Sequence, residues 1–165
     1  MWPYWLNPEF VQSLLEDCFD RLVRSKMVEF GETNAAVCVA IRAQREEFDD
    51  CILGEVKGNV DPNVPHSGNT DRIARSKCGI SFNTGFSTRE VTLLKPDLLA
   101  PGDTRYAGSV VVDDLIVATS GLHDWIDELI SRQIAAEILC RIGRLHALML
   151  EEMSKPPERG FMPEG

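Results

Sequence analysis

The segment of residues 105–130, RYAGSVVVDDLIVATSGLHDWIDELI, constrains the fold more than any other part of the chain. Its two apolar, β-branched runs are separated only by Asp113 and Asp114, and so short an acidic link is typical of a tight β-hairpin. A Ser-Gly turn then leads into residues with the apolar spacing of a helix. The segment therefore predicts an antiparallel strand pair followed directly by a helix.

The first part of the chain predicts a helix and another hairpin. Asn7 and Pro8 are typical of a helix start, and apolar pairs that recur every four residues extend this helix to about Phe30. Residues 35–42 and 48–56 are short, partly β-branched runs, and they predict a second pair of strands.

Between the two hairpins we expect a long loop and two helices. Residues 57–69 are rich in Gly, Asn, Pro and Ser, and loops of this length are often functional or mobile. A helix is expected over roughly residues 70–85. Ser87 and Glu90 have the spacing of a capping box, which predicts a short helix to about Leu94.

The order of these elements predicts an α+β fold. A last helix is expected from a cap at Asp124 to about Met153. We expect one domain, residues 1–153, with an antiparallel sheet of four to five strands and helices packed on it. The tail, residues 154–165, is rich in proline and glycine and is expected to be flexible.

Charge and composition exclude several classes of protein. The net charge is −9, from 26 acidic and 17 basic residues, and no basic cluster suits nucleic acid. No segment approaches the ~20 apolar residues that span a bilayer, and no export signal is evident, so a soluble cytoplasmic protein without membrane contact is expected. The five cysteines contain no CxxC pair, which disfavours a disulfide framework and a zinc site. Oxidation between Cys38 and Cys51 is the alternative, if the first hairpin places them opposite one another.

Aromatic residues are concentrated at the N-terminus. Trp2, Tyr4 and Trp5 precede the first predicted helix. Such residues either fold back as a cap on their own chain or become buried in a neighbouring subunit. We expect packing, and not ligand binding, to be their role.

Three motifs resemble the GlcG/HbpS-like family, which includes haem-binding proteins, the C-terminal domain of PduO-type corrinoid proteins and oligomeric proteins of unassigned function. The first motif is ARSKCGISFNTGFSTRE at residues 74–90, and the second is AGSVVVDDLIVATSGL at residues 107–122. The third is the acidic pair Asp127-Glu128 that follows the Ser-Gly turn. The resemblance covers about residues 35–136. The matching positions in the first two motifs are Lys77, Gly85, Phe86, Ser87, Thr88, Glu90, Gly108, Ser120 and Gly121.

The resemblance implies a profilin-like architecture and a homo-oligomer. It also implies that haem, a corrinoid or another anionic ligand binds between the sheet and the helix that carries Lys77. The family's triple glycine is reduced here to Ala107-Gly108-Ser109. This difference motivates a second hypothesis, in which the pocket is degenerate and the protein is a structural or regulatory subunit of a larger assembly.

The candidate ligand-binding residues combine this resemblance with the Ser-Gly turn before the last helix. Exposed amides and the positive end of that helix are suited to an anion, although ordinary capping is the alternative. Lys77 is expected to point at a bound carboxylate or, alternatively, to pair with a neighbouring acid. The candidates are Lys77, Ser87, Thr88, Gly108, Ser120, Gly121 and His123.

Histidines are the candidate axial ligands of a haem. His66, in the long loop, is the first choice. His123, at the turn, is another candidate, whereas His146 has the surroundings of an ordinary helical histidine. No CxxCH, phosphate-binding loop, HExxH or GxSxG motif occurs, and adjacent acids point in different directions. No catalytic residue and no metal site is therefore assigned, and a binding protein without catalysis of its own is expected.

Overall fold

The computed structural model describes residues 7–43 and 45–156. The expected aromatic cap at Trp2, Tyr4 and Trp5 lies outside the described residues, as does the tail beyond residue 156. Within the two described ranges, no helix combines the length and the apolar character needed to cross a bilayer.

The first predicted helix forms, with a π-helical turn in its middle. Helix α1 spans Pro8–Cys18, the π-helical turn spans Phe19–Val23, and α2 spans Arg24–Phe30. The side chain of Asn7 accepts a hydrogen bond from the first turn, and Gly31 ends α2 in the left-handed conformation at φ 69°. Both predicted ends are therefore confirmed.

Four strands form one antiparallel sheet in the order β2-β1-β4-β3. The strands are β1, Asn34–Ile41; β2, Ile52–Asn59; β3, Ser109–Val112; and β4, Leu115–Ser120. Helices pack on both faces of this sheet. The predicted α+β class is therefore confirmed, whereas the profilin-like description stays a prediction.

The predicted position of β2 was wrong by several residues. Residues 48–51 form a 3₁₀ turn, Phe48–Cys51, and the strand continues to Asn59, which was expected to lie in the loop. Pairing with β1 fixes these bounds, because the register runs from Asn34 opposite Asn59 to Ala40 opposite Ile52. The local composition of the 57–59 stretch gave no sign of this long-range pairing.

The cysteines of the first hairpin do not face one another. Cys38 lies opposite Glu55 in the register, so the alternative in which Cys38 faces Cys51 was wrong. The thiol of Cys38 instead forms a hydrogen bond with that of Cys78 on the neighbouring helix, and together with burial this raises its pKa well above the usual value. All five cysteines are free thiols.

The second hairpin has the predicted two-residue turn. Asp113 and Asp114 both have left-handed backbone angles, with φ 51° and 66°. Aspartate tolerates this conformation better than most residues, and the turn matches the twist of the flanking strands. β3 begins only at Ser109, so residues 105–107 are not part of the strand.

The remaining helices follow the predicted order. Helix α3 spans Thr70–Thr84, α4 spans Thr88–Leu94 and α5 spans Asp124–Ser154. The cap of α5 is one residue earlier than predicted, because His123 occupies the N-cap position and makes no side-chain capping bond. Ser87 caps α4 as predicted by accepting from Glu90 N–H, whereas the Glu90 carboxylate accepts from the Ser87 hydroxyl and not from its backbone N–H.

The two faces of the sheet bury different helices. Side chains of α1, α2 and α5 pack on one face against alternate residues of β1, including Val37 and Val39. Helix α3 packs on the other face against Ala36, Cys38 and Ala40. The two layers meet near the end of β4, where a charged side chain of α3 reaches α5.

Candidate functional site

A pocket of about 310 Å³ opens where the N-terminus of α5, the start of β1 and the middle of α3 come together. It gathers three of the predicted ligand-binding residues, Lys77, Ser120 and Gly121. Tyr106 and Asp127 also line it. The candidate site is therefore a defined cavity beside the Ser-Gly turn.

Lys77 forms a buried ion pair at this pocket. Its side chain is 1% exposed, and that of Asp127 is 4% exposed. The ammonium donates to the carbonyl of Thr119 at 2.9 Å and to Asp127 Oδ2 at 3.2 Å. Two roles were expected for Lys77, and the structure shows the second of them, an ion pair with a neighbouring acid.

Asp127 also fixes the Ser-Gly turn. Its second oxygen, Oδ1, accepts a hydrogen bond from the backbone N–H of Leu122 at 3.1 Å. One carboxylate thereby holds both the turn and the lysine, and it occupies one of the amides that were expected to bind an anion. This role of Asp127 was not predicted, although its place one turn after the start of a helix is typical of a capping acid.

Burial shifts both members of the pair against their charged forms. Desolvation lowers the pKa of Lys77, although the charge of Asp127 counteracts the shift. Desolvation likewise raises the pKa of Asp127 to about 6, against the opposing effect of Lys77. The pair is therefore costly to keep charged, as is general for buried ion pairs.

Two glycines allow close approach of the backbone beside the pocket, one of them next to Lys77. Gly108 has φ 146°, and a Cβ atom there would lie 2.6 Å from the carbonyl oxygen of Thr119 and 2.7 Å from Lys77 Nζ. Gly121 has φ 113°, and a Cβ atom there would overlap the carbonyl oxygen of Asn34. Only glycine fits these two positions without strain.

Hydroxyl groups support the backbone of Gly108 from both sides. Thr88 Oγ1 accepts hydrogen bonds from the N–H groups of Gly108 and Ser109, both at 3.0 Å. Ser131 Oγ lies 2.6 Å from the carbonyl oxygen of Gly108 and 2.8 Å from Thr119 Oγ1. Ser131 was missed from the sequence, but a serine on the apolar face of α5 was an available signal.

The predicted residues Ser87 and His123 lie outside the pocket wall. Ser87 accepts a hydrogen bond from Glu90 N and caps α4. His123 is exposed, with its ring edge-on to Phe30 at 5.8 Å between centroids and parallel to Trp125 at 6.5 Å. The structure thus brings Lys77, Gly108, Ser120 and Gly121 together, supported by Thr88, but not Ser87 or His123.

His66 lies directly behind the pocket wall. Its Nε2 is 2.7 Å from Thr70 Oγ1, and Thr70 donates its only hydroxyl proton to Asn34 Oδ1 at 3.0 Å. With that proton directed at Asn34, the Thr70 oxygen can accept from the Nε2–H tautomer of His66. Thr70 and Asn34 line the pocket. A metal ion could bind Nε2 only if the hydrogen bond between His66 and Thr70 were broken.

The charges around the pocket are mainly negative. Glu32, Asp124 and Asp127 line it together with Lys77, whose charge Asp127 already neutralises. The next acid, Glu128, points elsewhere. It pairs with Arg89 of α4 and with Arg132 of α5. Within residues 7–43 and 45–156, no group of three or more His, Cys, Asp or Glu side chains is placed to hold a metal ion.

A larger cleft, of about 450 Å³, lies between α3 and the edge strand β2. Ion pairs cross it, with Lys57 Nζ 3.4 Å from Asp71 and Arg75 3.6 Å from Glu55. These charges already satisfy one another, so the cleft is the weaker candidate although it is larger.

No family model, curated protein or solved structure matches this chain. The resemblance to the GlcG/HbpS-like family stays a prediction.

Proposed function

We propose that this protein binds a small polar ligand in the pocket beside Lys77 and Asp127. The observation that carries the proposal is the incomplete hydrogen bonding of the buried ammonium. It has three N–H donors, and within the described ranges only Thr119 and Asp127 accept from it. A carbonyl, hydroxyl or carboxylate oxygen of a ligand would supply the third acceptor.

The size and charge of the pocket favour a compact ligand. A volume of about 310 Å³ is near the lower end of small-molecule sites, which range over roughly 300–1,000 Å³. Glu32 and Asp124 at the pocket oppose a ligand with several negative charges. In the wider form of this hypothesis the ligand is haem, a corrinoid or another anionic compound. The acids of the pocket favour a neutral ligand over these anionic ones.

A pair of isosteric probes tests both the site and the charge preference. Propionamide and propionate have the same shape, and only the second is charged. In amide-resolved NMR titrations we expect propionamide to shift Gly121 and Leu122 saturably and to bind more tightly than propionate. If neither probe perturbs these amides, the proposed small-ligand site is wrong.

Haemin and cyanocobalamin test the wider hypothesis. A saturable change in the absorbance of either compound that weakens in His66→Ala would support tetrapyrrole binding in place of the small polar ligand. The double variant Lys77→Met/Asp127→Asn removes both charges together and is the matched loss-of-site control. Lys26→Met, at a surface lysine paired with Glu29, controls for the loss of a lysine elsewhere.

A second candidate function is that of an interaction subunit, including a homo-oligomer. Leu93 and Leu94 on α4 are 69% and 75% exposed, and Trp125 on α5 is 66% exposed. Exposed large apolar side chains of this kind are typical of contact surfaces. A reducing compartment such as the cytoplasm would suit the five free thiols in either case.

Light scattering coupled to size exclusion tests this candidate. The variant Leu93→Ser/Leu94→Ser should lower the molar mass of the particle if α4 forms a subunit contact. Val64→Ser, at another exposed apolar residue, is the control. An unchanged molar mass in the α4 variant would remove this surface from consideration.

A further inference from the structure

Within the described residues, Lys77 Nζ has two hydrogen-bond partners and could accommodate a third. It lies 2.9 Å from the carbonyl oxygen of Thr119 and 3.2 Å from Asp127 Oδ2. When the ammonium loses its third proton, which no described residue accepts, the other two N–H groups stay on these acceptors and the lone pair takes the remaining direction. Lys77 lines the pocket, and the glycine at position 108 keeps the surroundings of Nζ free of a further side chain.

Burial reduces the cost of this neutral amine. Burial opposes the charge on both groups, lowering the pKa of Lys77 and raising that of Asp127. The proton that leaves is the third one, so Asp127 Oδ2 keeps its hydrogen bond from the amine. The neutral amine is therefore less costly, relative to the ammonium, than it would be in water.

We infer that Lys77 captures small aldehydes or ketones as an imine, an inference that rests on the proposed binding of a small polar ligand. The lone pair of Nζ forms a bond to the carbonyl carbon, and the carbonyl oxygen takes up a proton released from the nitrogen. The carboxylate of Asp127 takes the second N–H proton and passes it to the resulting hydroxyl group, which leaves as water. One water is released, no oxidant or reductant is consumed, and the carbon–nitrogen double bond is hydrolysed in the reverse direction.

The other lysines provide internal references for this reaction. Lys26, Lys57 and Lys155 form ion pairs at the surface, with side chains that are 30%, 58% and 60% exposed. These residues report the reactivity expected without a special environment.

Reductive trapping tests the inference on the full chain. The protein is incubated with propionaldehyde and sodium cyanoborohydride at pH 7, and each lysine is then quantified by peptide mass spectrometry. We expect Lys77 to be alkylated at least about tenfold faster than Lys26, Lys57 and Lys155. Alkylation of Lys77 at or below their rates would overturn the inference.

The dependence of the trapping rate on pH distinguishes an amine with a lowered pKa from one that is only more accessible to the aldehyde. In the wild type, the rate of trapping at Lys77 should reach its plateau at lower pH than the rate at the surface lysines. Asp127→Asn keeps an acceptor oxygen for Leu122 but removes the charge that stabilises the ammonium, so the inflection should move to still lower pH. An inflection at the pH of the surface lysines would contradict the inference, and an unmoved inflection in Asp127→Asn would contradict the part assigned to Asp127.

The propionamide titration distinguishes this inference from the proposed function. Propionamide offers the same acceptor atom but does not form an imine under these conditions. If it binds at Gly121 and Leu122 while Lys77 is not trapped, the imine is excluded and the binding site is retained. If it does not bind and Lys77 is not trapped, both proposals are wrong.

Discussion

Lys77 and Asp127 are 50 positions apart in the sequence and belong to helices on different faces of the sheet, yet their charged atoms lie 3.2 Å apart. The pair forms where β4 ends and the chain turns into α5. Because Asp127 also holds the N–H of Leu122, this one carboxylate links α3, the Ser-Gly turn and α5. The stability of the pocket therefore depends on the pair.

Removal of the lysine alone should be strongly destabilising. Lys77→Met leaves Asp127 buried without its partner, and breaking a buried pair in this way typically costs about 3 kcal/mol or more. We expect this loss in the free energy of unfolding from urea titrations at pH 7. The double variant Lys77→Met/Asp127→Asn should recover much of it, because no unpaired charge is then buried. Equal losses in the single and double variants would contradict this explanation.

The raised pKa of Asp127 predicts a specific dependence of stability on pH. Its pKa is about 6 in the folded protein against an ordinary value of 3.8, so between these pH values the folded state binds more protons than the unfolded state. The contribution of Asp127 to stability must then decrease as pH rises from about 4 to 6.

Urea titrations of the wild type and Asp127→Asn over this range provide the measurement. The free energy of unfolding of the wild type, relative to the variant, should fall as the pH is raised. A constant or rising difference would show that the pKa of Asp127 is not raised.

Gly108→Ala should disrupt the site locally. The added methyl group would approach both the carbonyl of Thr119 and the amine of Lys77, at a φ of 146° that alanine disfavours. We expect a loss of about 1–3 kcal/mol in the free energy of unfolding. Gly143→Ala is the matched control, because nothing lies within 4 Å of a Cβ there, and in a helix it should gain about 0.5–1 kcal/mol. Similar effects of the two substitutions would refute the role of Gly108.

Gln12 protects the edge of the sheet. Its side-chain amide donates to the carbonyl of Glu55 at 3.0 Å and accepts from the N–H of the same residue at 3.0 Å, as a neighbouring strand would. Gln12→Ala should lower the free energy of unfolding by about 1–2 kcal/mol and promote self-association through β2. Size exclusion after prolonged incubation is the test, with Gln133→Ala on the exposed side of α5 as control. Identical elution of the two variants would argue against this protective role.

The residues whose positions were predicted well are those governed by their immediate neighbours. Asp113 and Asp114 make the tight turn, Ser87 caps α4, and Gly31 and Gly85 end their helices in the left-handed conformation. Each depends on backbone preferences and on hydrogen bonds over a few residues. The order of helices and strands, and hence the α+β class, followed from such signals.

The bounds of β2 and the composition of the site were decided by the tertiary structure. The extension of β2 to Asn59 depends on pairing with Asn34, and the role of Lys77 depends on Asp127, which the chain brings near only after both helices pack on the sheet. Charge and burial are properties of a residue's surroundings in space, and those surroundings come from distant segments. By itself, therefore, the sequence determined where this chain turns and which elements it forms, while tertiary packing alone decided that its buried lysine faces a carboxylate beside a pocket.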